Sequence, residues 1–228
     1  MKPWVRVFVA ATVALILFLV FNSPLHAEDD TAWYENLSKE QKALLLNIAA
    51  GAAILTWGAF TWDYGEEDPH FQGDGWFEKD SPEGGADKLG HAYSAYALSH
   101  LFYYQYQRWG YDQKQAIQFG CLSSLGVTLL MEIGDSFSDY GFSYQDALFN
   151  IIGAAVGYGM VKYPDVTKRV DFRVEYDPFQ KGEHKRDFLT DYERLKYILA
   201  LKMDGFDATK DTYLKYFELQ VGYSARGY

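Results

Sequence analysis

Residues 87–109 read DKLGHAYSAYALSHLFYYQYQRW, and this stretch decides the fold. It is apolar and tyrosine-rich apart from a charged start, and Gly110 follows it as a left-handed helix cap would. The segment predicts a helix. Asp87 and His91 stand four residues apart, so they share one helix face, close enough for a carboxylate to hydrogen-bond an imidazole, with Lys88 beside them. The same device recurs downstream. Glu132 and Asp135 are three apart in a second apolar segment, with Asp139 extending the row, and Asp146 and Asn150 are four apart in a third.

Working outward, Ser38 precedes Gln41 by three residues, a capping-box spacing that opens a helix ahead of the apolar run Ala43 to Trp62. That run is long enough to span a bilayer, and its Ala and Gly content equally suits close packing in a bundle. Lys39 and Lys42 on one flank against Lys79 beyond the other give no orientation. Asp63 to Asp87 carries nine carboxylates against one lysine, with many glycines and prolines, and reads as a solvated loop in which Trp76 and Phe77 act as apolar pins. Asp112 opens a helix to about Asp135, and Ser143 with Asp146 opens another to about Lys162, stopped by Pro164. Small residues four apart, Gly120 with Ser124 and Gly153 with Gly157, let helices approach closely. Beyond Asp165 the period changes. Arg169 to Tyr176 alternates charged and apolar residues, Leu195 to Met203 and Tyr216 to Tyr223 are further strand candidates, and Asp211 to Tyr216 fits a short helical turn.

The expected architecture is mainly α: a four-helix, membrane-associated bundle over 38–164 carrying the acidic loop 63–87, then a small antiparallel β extension over 165–228. A polar linker, 28–37, precedes the bundle. Lys2 and Arg6 followed by the apolar stretch Val7 to Phe21, then Pro24 and Ala27, have the form of a secretory signal over 1–27, with an uncleaved anchor as the alternative. No cysteine follows that stretch, so the expectation is an exported protein, periplasmic or bound to an envelope membrane, and not a lipoprotein.

The chain of 228 residues is 49% apolar and carries a net charge of -10. Disorder is excluded by the first figure, and non-specific nucleic-acid binding is opposed by the second, since displacing counterions from phosphates needs a positive surface. The charge is uneven: residues 165–228 hold twelve basic and twelve acidic groups, which leaves the whole excess on the first 164. One cysteine, Cys121, excludes an intramolecular disulfide, and no neighbouring cation lowers its pKa.

Buried isolated charges cost several kcal/mol each, so the polar pairs are expected to converge if they face inward. Three outcomes follow. The first is a satisfied polar network that fixes helix register. An acid–base site is the second, with His91 carrying the proton, Asp87 orienting it, Lys88 adjacent and Glu132 as a second acid or base; Asp135, Asp146 and Asn150 complete the cluster as binding groups. A divalent metal is the third, weakened by the lack of His-x-x-x-His or Glu-x-x-His pairs, so no cofactor and no metal ligand set are assigned. His100 lies about half a turn from His91 and reads, with its tyrosine neighbours, as a packing face.

The residues Asp87-Lys88-Leu89-Gly90-His91, Glu132 with Asp135, and Phe142-Ser143-Tyr144-Gln145-Asp146 leading to Asn150 and Gly153 resemble the pattern of VanZ-like proteins, and more closely the YfiM-type predicted periplasmic proteins, a family without an assigned activity. The likeness covers about 86–161. It implies a helical envelope domain in which Asp87, Lys88, His91, Glu132, Asp146 and Asn150 occupy motif positions. The functional expectation is a structural or binding component at a membrane, with lipid or another envelope protein as partner; the alternative is a hydrolase of an envelope lipid or cell-wall precursor.

Overall fold

The computed structural model describes residues 32–73, 75–78, 81–180, 187 and 189–226. The signal segment 1–27, the first part of the linker, Lys79 and the chain terminus lie outside the described residues.

Local sequence rules place the elements. Part of the linker is a short helix, α1 (Ala32–Glu35). The polar reading of 28–37 missed it because Tyr34 is an anchor: burial pushes its hydroxyl pKa up, and Trp109 opposes that rise. Helix α2 (Lys39–Thr61) begins at a complete capping box, Ser38 accepting from the Gln41 amide and Gln41 accepting from the Ser38 amide at 2.9 Å. The described residues after it form no regular element until a 3-10 turn at Pro82–Gly85 leads into α3 (Ala86–Arg108), so that Asp87 sits inside the first turn of a helix. Gly110, at φ +85°, ends that helix in the left-handed region. Asp112 caps α4 (Gln113–Asp135), and Ser143 caps α5 (Tyr144–Lys162). Pro164 ends α5 and also opens a short α6 (Pro164–Arg169), where its missing amide hydrogen costs nothing at the first helical position.

Three strands follow, β1 (Val170–Tyr176), β2 (Leu195–Lys202) and β3 (Glu218–Tyr223), in an antiparallel sheet of order β1-β2-β3. Arg173 lies opposite Ile198, and Ile198 opposite Gly222. The fold is thus mainly helical with a small C-terminal antiparallel sheet. Leu195–Lys202 fits either a helix or a strand by itself; pairing on both sides makes it the central strand. One sheet face is apolar. On the other, the Arg173 guanidinium grips Glu218 through two bonds of 2.8 and 3.1 Å, reaching from β1 to β3 across β2, and Ile198 and Ala200 are buried below.

The chain divides into two compact units. One comprises the described residues up to Gln72 together with Leu101–Phe142; the other comprises Gly73–His100 and Ser143–Tyr228. Within the second unit the sheet packs on the first part of α3. There Ala86, Tyr192, Leu195, Tyr197 and Ala225 form a core, backed by Tyr93 and Phe172. Tyr93 and Tyr96 meet Phe172 with ring centroids 5.3 and 5.5 Å apart.

In the first unit α2 packs along α4, where Gly51 faces Leu130. Asn47 donates to the Tyr106 hydroxyl at 2.7 Å, and that hydroxyl meets Ser123 at 2.6 Å, tying α2, the end of α3 and α4 by one polar chain. Loop residues 65–72 run beside 136–142 through backbone bonds, among them Gly65 amide to Phe137 carbonyl at 2.9 Å and Phe142 amide to His70 carbonyl at 2.9 Å.

Candidate functional site

The second unit gathers Asp87, Lys88, His91 and Asp146. Asp87 occupies the first turn of α3 and Asp146 the first turn of α5, positions where the helix dipole favours a negative charge. Lys88 is fully buried between them, its Nζ 2.7 Å from Asp87 Oδ2 and 3.4 Å from Asp146 Oδ1. One ammonium thus joins the beginnings of two helices. The imidazole Nε2 of His91 lies 3.9 Å from Asp146 Oδ2.

This differs in one pairing from the expected carboxylate–imidazole contact within α3. Asp87 takes its hydrogen bond from Lys88, and His91 acts on Asp87 through charge while its imidazole lies near Asp146 on α5. Neighbours in sequence do not face each other on a helix, so spacing alone favoured His91; the long lysine stem curls back and wins. Burial raises the Asp87 pKa above its ordinary value, and the hydrogen bond and charge of Lys88, with the charge of His91, oppose that rise. Asn150 lies one turn beyond Asp146 on α5 and is buried.

What brings α3 and α5 this close is glycine. A Cβ on Gly153 would sit 2.0 Å from the Ala92 carbonyl oxygen, and one on Gly157 2.9 Å from the Ser99 Cβ. The small-residue spacing in α5 therefore marks a true helix contact.

Sequence reasoning missed the roof of this cluster. At Gly90 a Cβ would meet Tyr192 Cε1 and the Tyr197 hydroxyl, each at 2.9 Å, so two tyrosines of the C-terminal extension close on α3 between Asp87 and His91. Tyr192 is buried: burial pushes its pKa well up, and Tyr197 and the charges of Asp87, Glu83 and Asp146 add to the rise. The signal was present in Gly90, a helix-interior glycine that costs about 1 kcal/mol against alanine and so implies a close neighbour.

Glu132 and Asp135 belong to the first unit, where they act on Tyr64. The Tyr64 ring lies against Gly58 of α2 and Gly134 of α4, with a Cβ at either glycine falling 2.0 or 2.1 Å from its Cε2. Its hydroxyl donates to the Met131 carbonyl at 3.0 Å. Burial first, then the charge and hydrogen bond of Asp135 and the charge of Glu132, drive its pKa far above the ordinary tyrosine value. Glu132 is almost wholly buried. Tyr64 was unremarked in the sequence because its partners come from two distant helices.

Chemically, the second-unit cluster is a closed arrangement of two carboxylates about one ammonium, with His91 at its less buried edge. Among the described residues no group of three His, Cys, Asp or Glu side chains is placed to hold a metal.

Residues 73–162 match a predicted periplasmic lipoprotein family (DUF2279). The matched span contains every residue of the cluster, and the family is a domain of unknown function. It supports an exported envelope protein. The family description corrects one expectation, that the protein is not a lipoprotein: that expectation rested on the lack of a cysteine after Val7 to Phe21, and the description of the matched family as lipoproteins overturns it while agreeing with a periplasmic location. No curated protein and no solved structure matches the chain.

Proposed function

We propose that the protein is a membrane-held component of the cell envelope that acts by binding or scaffolding, with its buried polar cluster serving as an internal lock. The observation that carries the reading is α2. Its 23 residues are long and apolar enough to cross a bilayer, yet only 22% of its most apolar stretch is buried. Leu44, Ile48 and Leu55 are exposed along it. Helix α4 passes the same test of length and composition, with Leu122, Leu129 and Ile133 exposed. A soluble helix of this composition buries its face; one in lipid leaves it bare to acyl chains.

The lock supports a scaffolding role. Lys88 is sealed from solvent, and a cluster built to turn over a substrate opens to a cleft. The spacing of Asp87, Lys88, His91, Asp146 and Asn150 also supports the narrower likeness to VanZ-like and YfiM-type proteins, with envelope lipid as the partner. The test is partition. Membranes from cells making the full chain are washed at alkaline pH, which strips peripheral proteins, and the chain is expected to stay in the pellet. Release into the supernatant would overturn the reading.

A further inference from the structure

The outer edge of β3 is one of the two edges of the sheet, and among the described residues no further strand pairs with it. The Met203 amide donates to the Phe217 carbonyl at 3.1 Å, and this bond continues the register in which Lys202 lies opposite Glu218. In an antiparallel pair the bonded residues alternate, so Leu219, Val221 and Tyr223 turn their backbone groups toward β2, while Glu218, Gln220 and Gly222 turn theirs outward. β3 is an edge strand with one charge and no proline, and five of its six residues are exposed. Such an edge is a template for another strand.

We infer that this edge pairs with the β3 edge of a second copy of the chain, antiparallel and centred on Gln220. That register is the one in which all three outward-facing residues of each copy bond the other: Glu218 with Gly222 of the second copy, Gln220 with Gln220, Gly222 with Glu218. Both faces then agree. On the apolar face Leu219, 62% exposed, comes opposite Val221, 70% exposed, twice by symmetry, covering side chains that nothing in the sheet covers. On the charged face Lys196 lies over Gly222, its Cε 2.8 Å from where a Cβ would be. A glycine here leaves room for the Glu218 carboxylate of the second copy to approach the Lys196 ammonium, while Arg173 holds that same carboxylate from its own strand at 2.8 Å. The two-fold is therefore complementary in backbone, apolar surface and charge, and it joins two three-stranded sheets into one of six strands.

The test uses the full chain in mild detergent. Light scattering coupled to gel filtration is expected to give the protein mass of a dimer. Gln220→Pro removes one outward amide hydrogen without touching the bonds to β2, since proline is tolerated on an edge, and is expected to halve the mass with unchanged circular dichroism. In a Cys121→Ser background, Gln220→Cys is expected to form a disulfide-linked dimer on mild oxidation, because directly opposed bonded residues sit about 5.5 Å apart at Cα, within disulfide reach. Glu175→Cys, on β1, is expected to stay unlinked. A monomer at every concentration would overturn the inference, as would a dimer that survives Gln220→Pro, or a monomer whose β3 surface instead binds lipid vesicles.

Discussion

Replacing Lys88 by methionine removes a fully buried ammonium from between two carboxylates while keeping a similar volume. With an effective dielectric of about 20, each attraction at such distances is worth roughly 5 to 6 kcal/mol before desolvation is subtracted. Taking the lysine out of water costs several kcal/mol, which offsets much of that gain, so the net loss on breaking such a pair is about 3 to 5 kcal/mol. A second route gives a consistent figure. The chain relieves the loss by protonating one carboxylate, and holding an Asp of ordinary pKa 3.8 protonated at pH 7 costs about 4 kcal/mol at 1.36 kcal/mol per unit. At pH 5 the same step costs about 1.6 kcal/mol. Lys88→Met is therefore expected to lower unfolding free energy by about 3 to 5 kcal/mol at pH 7 and by clearly less at pH 5. Adding Asp146→Asn is expected to restore part of the loss. Urea unfolding of the purified chain in mild detergent, followed by circular dichroism, measures both. A variant as stable as the parent at pH 7, or one equally weakened at both pH values, would refute the reasoning.

Gly153→Ala forces the new methyl against the Ala92 carbonyl, so α3 and α5 must separate; a loss of about 1 to 3 kcal/mol in the same assay is expected. Tyr64→Ala empties the space between Gly58 and Gly134 and is expected to cost about 3 to 5 kcal/mol, against about 1.5 to 3 kcal/mol for Tyr64→Phe, which keeps the ring but loses the hydroxyl's bonds to the Met131 carbonyl and to Asp135. Because the folded chain raises the Asp87 pKa, that group favours folding most below pH 3.8 and the contribution fades as pH rises through the folded value. The stability of the parent relative to Asp87→Asn is thus expected to fall with rising pH above 3.8, read from paired urea titrations; the opposite slope would contradict the burial argument.

Elements with a local cause were legible in the sequence. Ser38 and Ser143 each accept from the amide that their spacing implied, Asp112 opens its helix by accepting from the Gln115 amide, and Gly110 sits in the left-handed conformation. The alternation in Arg169 to Tyr176 is a strand because alternation is itself the strand period. The glycine pair in α5 also showed its purpose in advance, since a residue without a side chain inside an apolar helix has few uses other than close packing. What stayed hidden depends on residues far apart in the chain. His91 turned to Asp146 on another helix, which helical spacing within 87–91 cannot express. Tyr192 and Tyr197 reach Gly90 from about a hundred residues away, and Tyr64 takes its place from Gly58 and Gly134 together. A short helix at Ala32–Glu35 was masked by polar composition around one anchoring tyrosine.

The proposed membrane role requires the exposed apolar face of α2 to lie in lipid. The most direct measurement places a single cysteine at Ile48 in a Cys121→Ser background and asks whether a membrane-impermeant maleimide labels it in intact membranes. Position 48 is 58% exposed on the protein surface, so protection of the thiol in membranes, lost on solubilisation in denaturant, is the result the account predicts. Prompt labelling in intact membranes would contradict it.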